Sequence, residues 1–395
     1  MKLNMNRRIA GAALLLLLAT FGILSTQEDL SPRLEELVRE LQAEREARPT
    51  SRVPVGGPSQ PGLAWESYWA AAEKFKAQPK GVLASINGES MAACEAGPEQ
   101  RRTESVRLAA LISEELALLR EGARRSNISP VYFPDKPIAD LTITLRDSQG
   151  VVHLFGLLAV AELEAGNQAE GVALLLDSMQ IAQDYMHSPV FINQMIGASE
   201  VCSRTLERVL AAEGFGMFSA ESLSALDAGV AQLLERMPTR PYFGGELEHA
   251  ARQAMKDPMQ LVDQSQSLFS RLFGRSPSWA QAVIRADELN HVLAESELSE
   301  FMGLLRRVWS EREPVLYIAH HWWNMNQITR HAVVRLQIFH HALRLAQGLE
   351  PAPFADPFGM PLSLTESDDS WVLEVDAVYR AEPIIKTFRK GLSED

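Results

Sequence analysis

The sequence predicts an all-α protein: a multi-helix extracytoplasmic domain of antiparallel helix pairs, closed by a small C-terminal β-hairpin and preceded by one N-terminal transmembrane or signal-anchor helix. Three observations carry this reading. Apolar residues recur at helical spacing in segment after segment between residues 64 and 347. Strand-like alternation is almost absent before residue 355. An apolar run near the N-terminus comes after Lys2, Arg7 and Arg8.

Size and charge narrow the function classes. A chain of 395 residues, 46% hydrophobic and 23% charged, can bury one large core or two ordinary ones. Its 38 basic and 51 acidic residues leave a net charge of -13, so a nucleic-acid backbone would be repelled unless a basic stripe offset it. The best stretch, "RRVWSER" (306–312), is short and carries its own glutamate. Nucleic acid is disfavoured as a partner.

Residues 1–8 read as a cytoplasmic tail and 9–26 as a transmembrane or signal segment. Basic residues ahead of an apolar run hold that end in the cytoplasm and send the downstream chain across. The 16 residues Ile9 to Leu24 are short for a spanning helix and long for a signal core. The small-x-small cleavage pattern is poor, because Ile23 and Ser25 would flank the best cut. The expectation is therefore an uncleaved anchor, with the membrane as a partner through residues 9–24 and the main domain outside the cytoplasm, periplasmic in a bacterium. Secretion after cleavage is the alternative. Cys94 and Cys202 are too far from the run to carry a lipid anchor. In an oxidising compartment they would form one disulfide or remain two thiols. Cys94 falls in a loop-like stretch.

Residues 31–47 read as a juxtamembrane amphipathic helix, with Ser31 as N-cap, Pro32 at the first helical position, and Leu34, Leu37, Val38 and Leu41 on one stripe. Residues 48–62 hold four prolines and three glycines without periodicity, the signature of a linker. The helical domain spans 63–348, with helices expected over 64–77, 98–123, 141–165, 168–187, 190–213, 219–236, 245–270, 278–295 and 297–347. At Gly166-Asn167 two apolar-periodic segments meet, a helix stop and restart. Residues 155–183, with Ala159, Gly171 and Ser178 where close helices cross, resemble one tetratricopeptide repeat unit, though no second copy occurs at that family's period. The resemblance implies a helical scaffold presenting a surface to another protein; a generic antiparallel helix pair is the other reading.

Residues 349–378 form the β-hairpin module. Asp356-Pro357 and Gly359 supply turn chemistry, and "PLSL" and "WVLEV" alternate well enough to pair. The string Asp356, Pro357, Phe358, Gly359 and Pro361 resembles a turn of the major pseudopilins of type II secretion. That family's likeness implies an accessory part of a pilus- or secretion-like assembly. Residues 379–395 are left as a C-terminal tail.

Chemistry is sparse. "YIAHHWWNMN" (317–326) groups two histidines and two tryptophans, but at 100° per residue Trp322 joins an apolar stripe that also holds Met325, Thr329, Ala332, Leu336, Phe339 and Leu343. His321 and His340 flank this stripe, whereas His320, His331 and His341 point to the polar side. The histidines do not converge on one ion, and Trp322 and Trp323 stand as candidates for an interaction surface. Glu-x-x-His occurs at Glu246/His249 and Glu288/His291, the spacing by which helical bundles hold metal. Asp287, His291 and Glu295 share a face at intervals of four. Chance alone predicts about one such pair in so glutamate-rich a chain, so two are unsurprising, and no glutamate stands between 250 and 287. No Gly-x-Ser-x-Gly, phosphate loop, His-Glu-x-x-His or close cysteine pair is present. The expectation is a scaffold or protein-binding module of the cell envelope, with no cofactor. A helical metal-dependent enzyme using Glu246, His249, Asp287, Glu288, His291 and Glu295 is the alternative.

Overall fold

The computed structural model describes residues 30–79, 81–129, 138–188, 191–201, 210, 214–238, 242, 244–256, 280–281, 283–284, 287–288, 316–357, 359–376 and 383–390. Among these are eleven α-helices, a parallel strand pair and a three-stranded antiparallel sheet. The helices are α1 (Ser31–Glu46), α2 (Ala64–Ala77), α3 (Val82–Cys94), α4 (Pro98–Leu111), α5 (Ser113–Arg124), α6 (Ile138–Glu164), α7 (Gln168–Met186), α8 (Phe191–Glu200), α9 (Ala220–Leu234), α10 (Gly244–Lys256) and α11 (Leu316–Ala346). No helix among the described residues is long and apolar enough to cross a membrane. The expected segment 9–26 and Cys202 lie outside them.

The central layer is the antiparallel pair α6 and α7, packed on α2, α3 and α4 on one side and on α8 and α9 on the other. Gly166 turns the chain with φ 84°. At Gly171 a Cβ would come within 2.9 Å of the Ala159 carbonyl oxygen, so α6 and α7 approach as closely as they do only because that side chain is absent. From Gly171 to Met186, Ala173 alone is not buried, as expected for a helix surrounded on all sides.

Several segments differ from expectation. The stretch 98–123 is two helices, because Ile112 leaves helical geometry (φ -137°, ψ 38°) and drives its side chain fully into the core. Helix α3 covers a stretch read as loop and ends on the buried Cys94. Its Ser85, Asn87, Gly88 and Ser90 blur the apolar period, and packing against α6 and α4 stabilises it instead. Leu30, not Ser31, occupies the cap position of α1, without a side-chain cap bond.

Residues 48–62 are a packed strap rather than a free linker. Strand β1 (Gln60–Leu63) pairs in parallel with β2 (Arg125–Asn127), Ser51 bridges Asn127, and the Arg52 amide donates to the Ser126 carbonyl at 2.8 Å. The prolines break periodicity without freeing the chain, because side-chain anchors hold the strap.

The C-terminal hairpin of β3 (Leu362–Glu366) and β4 (Ser370–Val375) gains a third strand, β5 (Ile384–Arg389), within the segment expected as a tail. Alternation places Trp371, Leu373 and Val375 inward, where Trp371 and Phe388 meet Phe215 at 6.4 and 5.9 Å. The sheet therefore shares the helical core. The buried face of α11 is broader than one stripe, adding Val333, Val334, Ile338 and Ala342. Both His340 and His341 are buried, although helical spacing alone puts His341 on the polar side. His340 Nε2 lies 3.0 Å from Asp227 Oδ1 on α9, and burial lowers its pKa against the pull of that carboxylate.

Row by row, α11 also grips the returning chain. Arg344 donates to the Glu350 carbonyl at 2.7 Å, Gln337 exchanges two bonds with the Ala355 backbone, and Arg330 meets Asp356 at 2.7 Å. These three residues recur every seventh position and so share one face.

Candidate functional site

On α7, Asp177, Gln180 and Asp184 form a buried polar stripe, spaced by three and four. Asp184 is fully buried and accepts from Arg52 of the strap, from the Tyr68 hydroxyl and, at 3.2 Å, from Gln180. Arg52 turns its remaining donors to the carbonyls of Gly122 (2.7 Å), Ala123 (3.0 Å) and Arg125 (3.1 Å). Those carbonyls lie at the C-terminus of α5, where a cation is also favoured by the helix dipole. Burial pushes the Asp184 carboxyl up, opposed by the charge of Arg52 and the donors around it. Trp65, Tyr68 and Tyr185 seal the cluster, with ring centroids 5.6 to 5.9 Å apart. Further towards the start of α7, Asp177 accepts from Arg120 and Arg124, each at 3.0 Å. Gly56 of the strap crosses directly over it, since a Cβ there would strike the Asp177 carboxylate.

This pinning shapes a groove of about 780 Å³ between the strap, the α6–α7 turn and the start of α9. Val55, Val172, Leu176 and Ala225 contribute its apolar lining, and Glu162, Glu170 and Glu221 its charged groups. Gln168 fixes the far wall: its amide donates to the Leu163 and Met217 carbonyls at 3.2 and 3.0 Å, and its oxygen accepts from the Ser219 amide at 3.0 Å. Ser219 then caps α9 by accepting from the Ser222 amide. Glu170 and Glu221 stand in the first turns of α7 and α9, where the helix dipole favours them, and Glu170 is also held by Arg120 at 2.7 Å. Neither histidine nor cysteine lines the groove. The groove thus combines an apolar lining with fixed polar walls.

The C-cap of α7 is a part-buried histidine, His187. His187 Nε2 lies 2.8 Å from the Arg236 carbonyl oxygen. Burial pushes this ring down to about 4, with Arg48, Arg236 and Arg52 adding to the shift and the bond to the carbonyl opposing it. The unfolded ring titrates near 6.5, so between that pH and about 4 the unfolded chain binds more protons than the folded one. Stability contributed by the neutral ring is thus present above pH 6.5 and is lost as pH falls through the window, at up to about 1.4 kcal/mol per pH unit. Urea midpoints measured from about pH 7.5 to about pH 5 should fall, and His187→Gln should flatten part of that slope.

Only three of the six metal-candidate residues, His249, Asp287 and Glu288, have side chains among the described residues. Glu246 lies in α10, and His291 and Glu295 lie outside the described residues. His249 is half-buried on α10. Glu288 is committed to Arg33 of α1 at 3.1 Å, and Asp287 beside it is partly buried. Among the described residues no group of three or more histidine, cysteine or carboxylate side chains could hold a metal ion. On α10 Glu248 is buried and accepts from Arg45 at 3.0 Å and from Arg252 at 2.8 Å. Its spacing of four from Arg252 is legible in the sequence; its partner on α1 is not. Trp322 and Trp323 fall within α11, and their side chains are outside the described part. No protein-family model, curated protein or solved structure matches the chain.

Proposed function

We propose that the protein is a membrane-anchored, extracytoplasmic helical module of the cell envelope that binds a partner protein. The observation that supports binding is the groove between the strap, the α6–α7 turn and α9, with its apolar lining and fixed polar walls. The apolar run 9–24 behind Lys2, Arg7 and Arg8 supports the anchor and its orientation. In this reading the strap does not lend reach. It connects the anchor rigidly to the groove through Arg52 and Asp184.

The test uses the full-length chain with a photo-crosslinking residue at Ala225 and a control at the exposed Val106. The expected result is a membrane-bound chain, open to protease from the extracytoplasmic side, that gives a discrete protein adduct from position 225 and none from position 106. Recovery from the cytosol would overturn the anchored reading. No adduct from position 225, or the same adducts from both positions, would overturn the groove.

A further inference from the structure

A second cleft lies between α1 and α10 and encloses about 540 Å³. Arg39 and Glu35 line it from α1; His249, Arg252, Met255 and Lys256 line it from α10. Behind it sits Glu248, with no exposure, accepting from both Arg45 and Arg252. One carboxylate between two guanidinia leaves a positive charge over. Arg39 and Lys256 are exposed and add two more, against which Glu35 supplies one negative charge. On a chain of net charge -13, this is a local reversal of sign.

The electrostatics of His249 fit that reversal. Burial first, and Lys256 second, lower its pKa, which leaves a neutral imidazole beside cations. Such a setting repels a metal ion, and it offers an oxyanion two kinds of partner: charged guanidinium and ammonium donors, and a ring nitrogen. Met255, 36% exposed, puts an apolar side chain in the same cleft.

Chain length sets where the cleft lies. Residues 25–30 separate the apolar run from α1 and span at most about 21 Å when extended. Arg39 is about 12 Å further along the helix axis. If residues 9–24 are in the bilayer, the cleft lies within about 33 Å of its surface, within reach of lipid phosphates that basic groups meet there.

We propose that the α1–α10 cleft binds the phosphate of an anionic lipid headgroup, through Arg39, Arg252, Lys256 and His249, and lays this helix pair on the membrane surface. The proposal rests on the anchored reading above and assigns that membrane a specific contact.

The test uses the full-length chain with isotope-labelled histidines in neutral detergent micelles, the His249 ring signal being assigned with His249→Asn. Inorganic phosphate should shift this signal and raise the ring's pKa, as an anion set among Glu35, Arg39, Arg252 and Lys256 would. Arg39→Gln combined with Lys256→Gln should weaken the phosphate response by about tenfold or more. In lipid nanodiscs without free phosphate, the shifted signal should be present with phosphatidylglycerol and absent with phosphatidylcholine alone. A response to inorganic phosphate without one to phosphatidylglycerol would overturn the lipid assignment in favour of a free anion. No response to either would overturn the site. A chain that fails to enter the discs would overturn the anchor, and the micelle titration would still decide the cleft.

Discussion

Asp184→Ala should destabilise the folded chain by about 3–5 kcal/mol. The substitution leaves the Arg52 guanidinium buried, 4% exposed, without its carboxylate, and leaves the Tyr68 hydroxyl without its acceptor. An uncompensated charge in the interior is far costlier than the pair is stabilising, since pairing only offsets the desolvation of both partners. The strap should loosen with it, because Arg52 joins that segment to both α7 and the end of α5. Urea unfolding measures the loss, and amide exchange at residues 50–63 should quicken out of proportion to exchange in α6. The double variant Arg52→Met with Asp184→Leu removes both charges and should recover much of the stability. If Asp184→Ala costs less than about 1 kcal/mol, the strap is not anchored in this way.

Asp356→Ala should cost a similar amount, about 3–5 kcal/mol. Arg330 is the largest fully buried side chain among the described residues. It donates to Asp356 at 2.7 Å and to the Asp376 carbonyl at 3.2 Å, so one guanidinium secures both the turn before β3 and the chain after β4. Asp356 in turn accepts from the Met360 amide at 3.0 Å and helps form the turn through Gly359, whose φ is 74°. Asp356→Asn keeps that acceptor but removes the charge, and should therefore recover only a minor part of the loss. Amide exchange should locate the damage in β3, β4 and β5, with the α6–α7 pair still protected. Equal loosening of both regions would mean that the sheet and the helices unfold as one unit.

The two clamps explain the division between what was legible and what was not. Helix α2 was readable to the residue because Trp65, Tyr68, Ala72 and Phe75 repeat at helical spacing. The α6–α7 turn could be read from Gly166-Asn167, and the hairpin of β3 and β4 from alternation within a dozen residues. Each signal sits inside one short window. The third strand was missed because β5 is defined by pairing with β4, and α3 because its weak period is stabilised by packing on α6 and α4. The polar stripe Asp177, Gln180 and Asp184 stands within one window of the sequence but was not read from it, and none of the three lines the candidate groove. Its walls come from residues 55–57, 162–176 and 219–225, and no sequence window contains all three.

By itself the sequence determined the helical class, the position of the hairpins, the apolar N-terminal run and the acidic balance, because periodicity and composition are local properties of the chain. Only the tertiary structure decided that a proline-rich segment is a fixed strap, that Glu248 is buried between Arg45 and Arg252, and that His249 stands among cations. Those outcomes depend on which distant charge is brought within hydrogen-bond reach, as Arg52 is with Asp184 across 132 positions, and burial then makes the pairing obligatory.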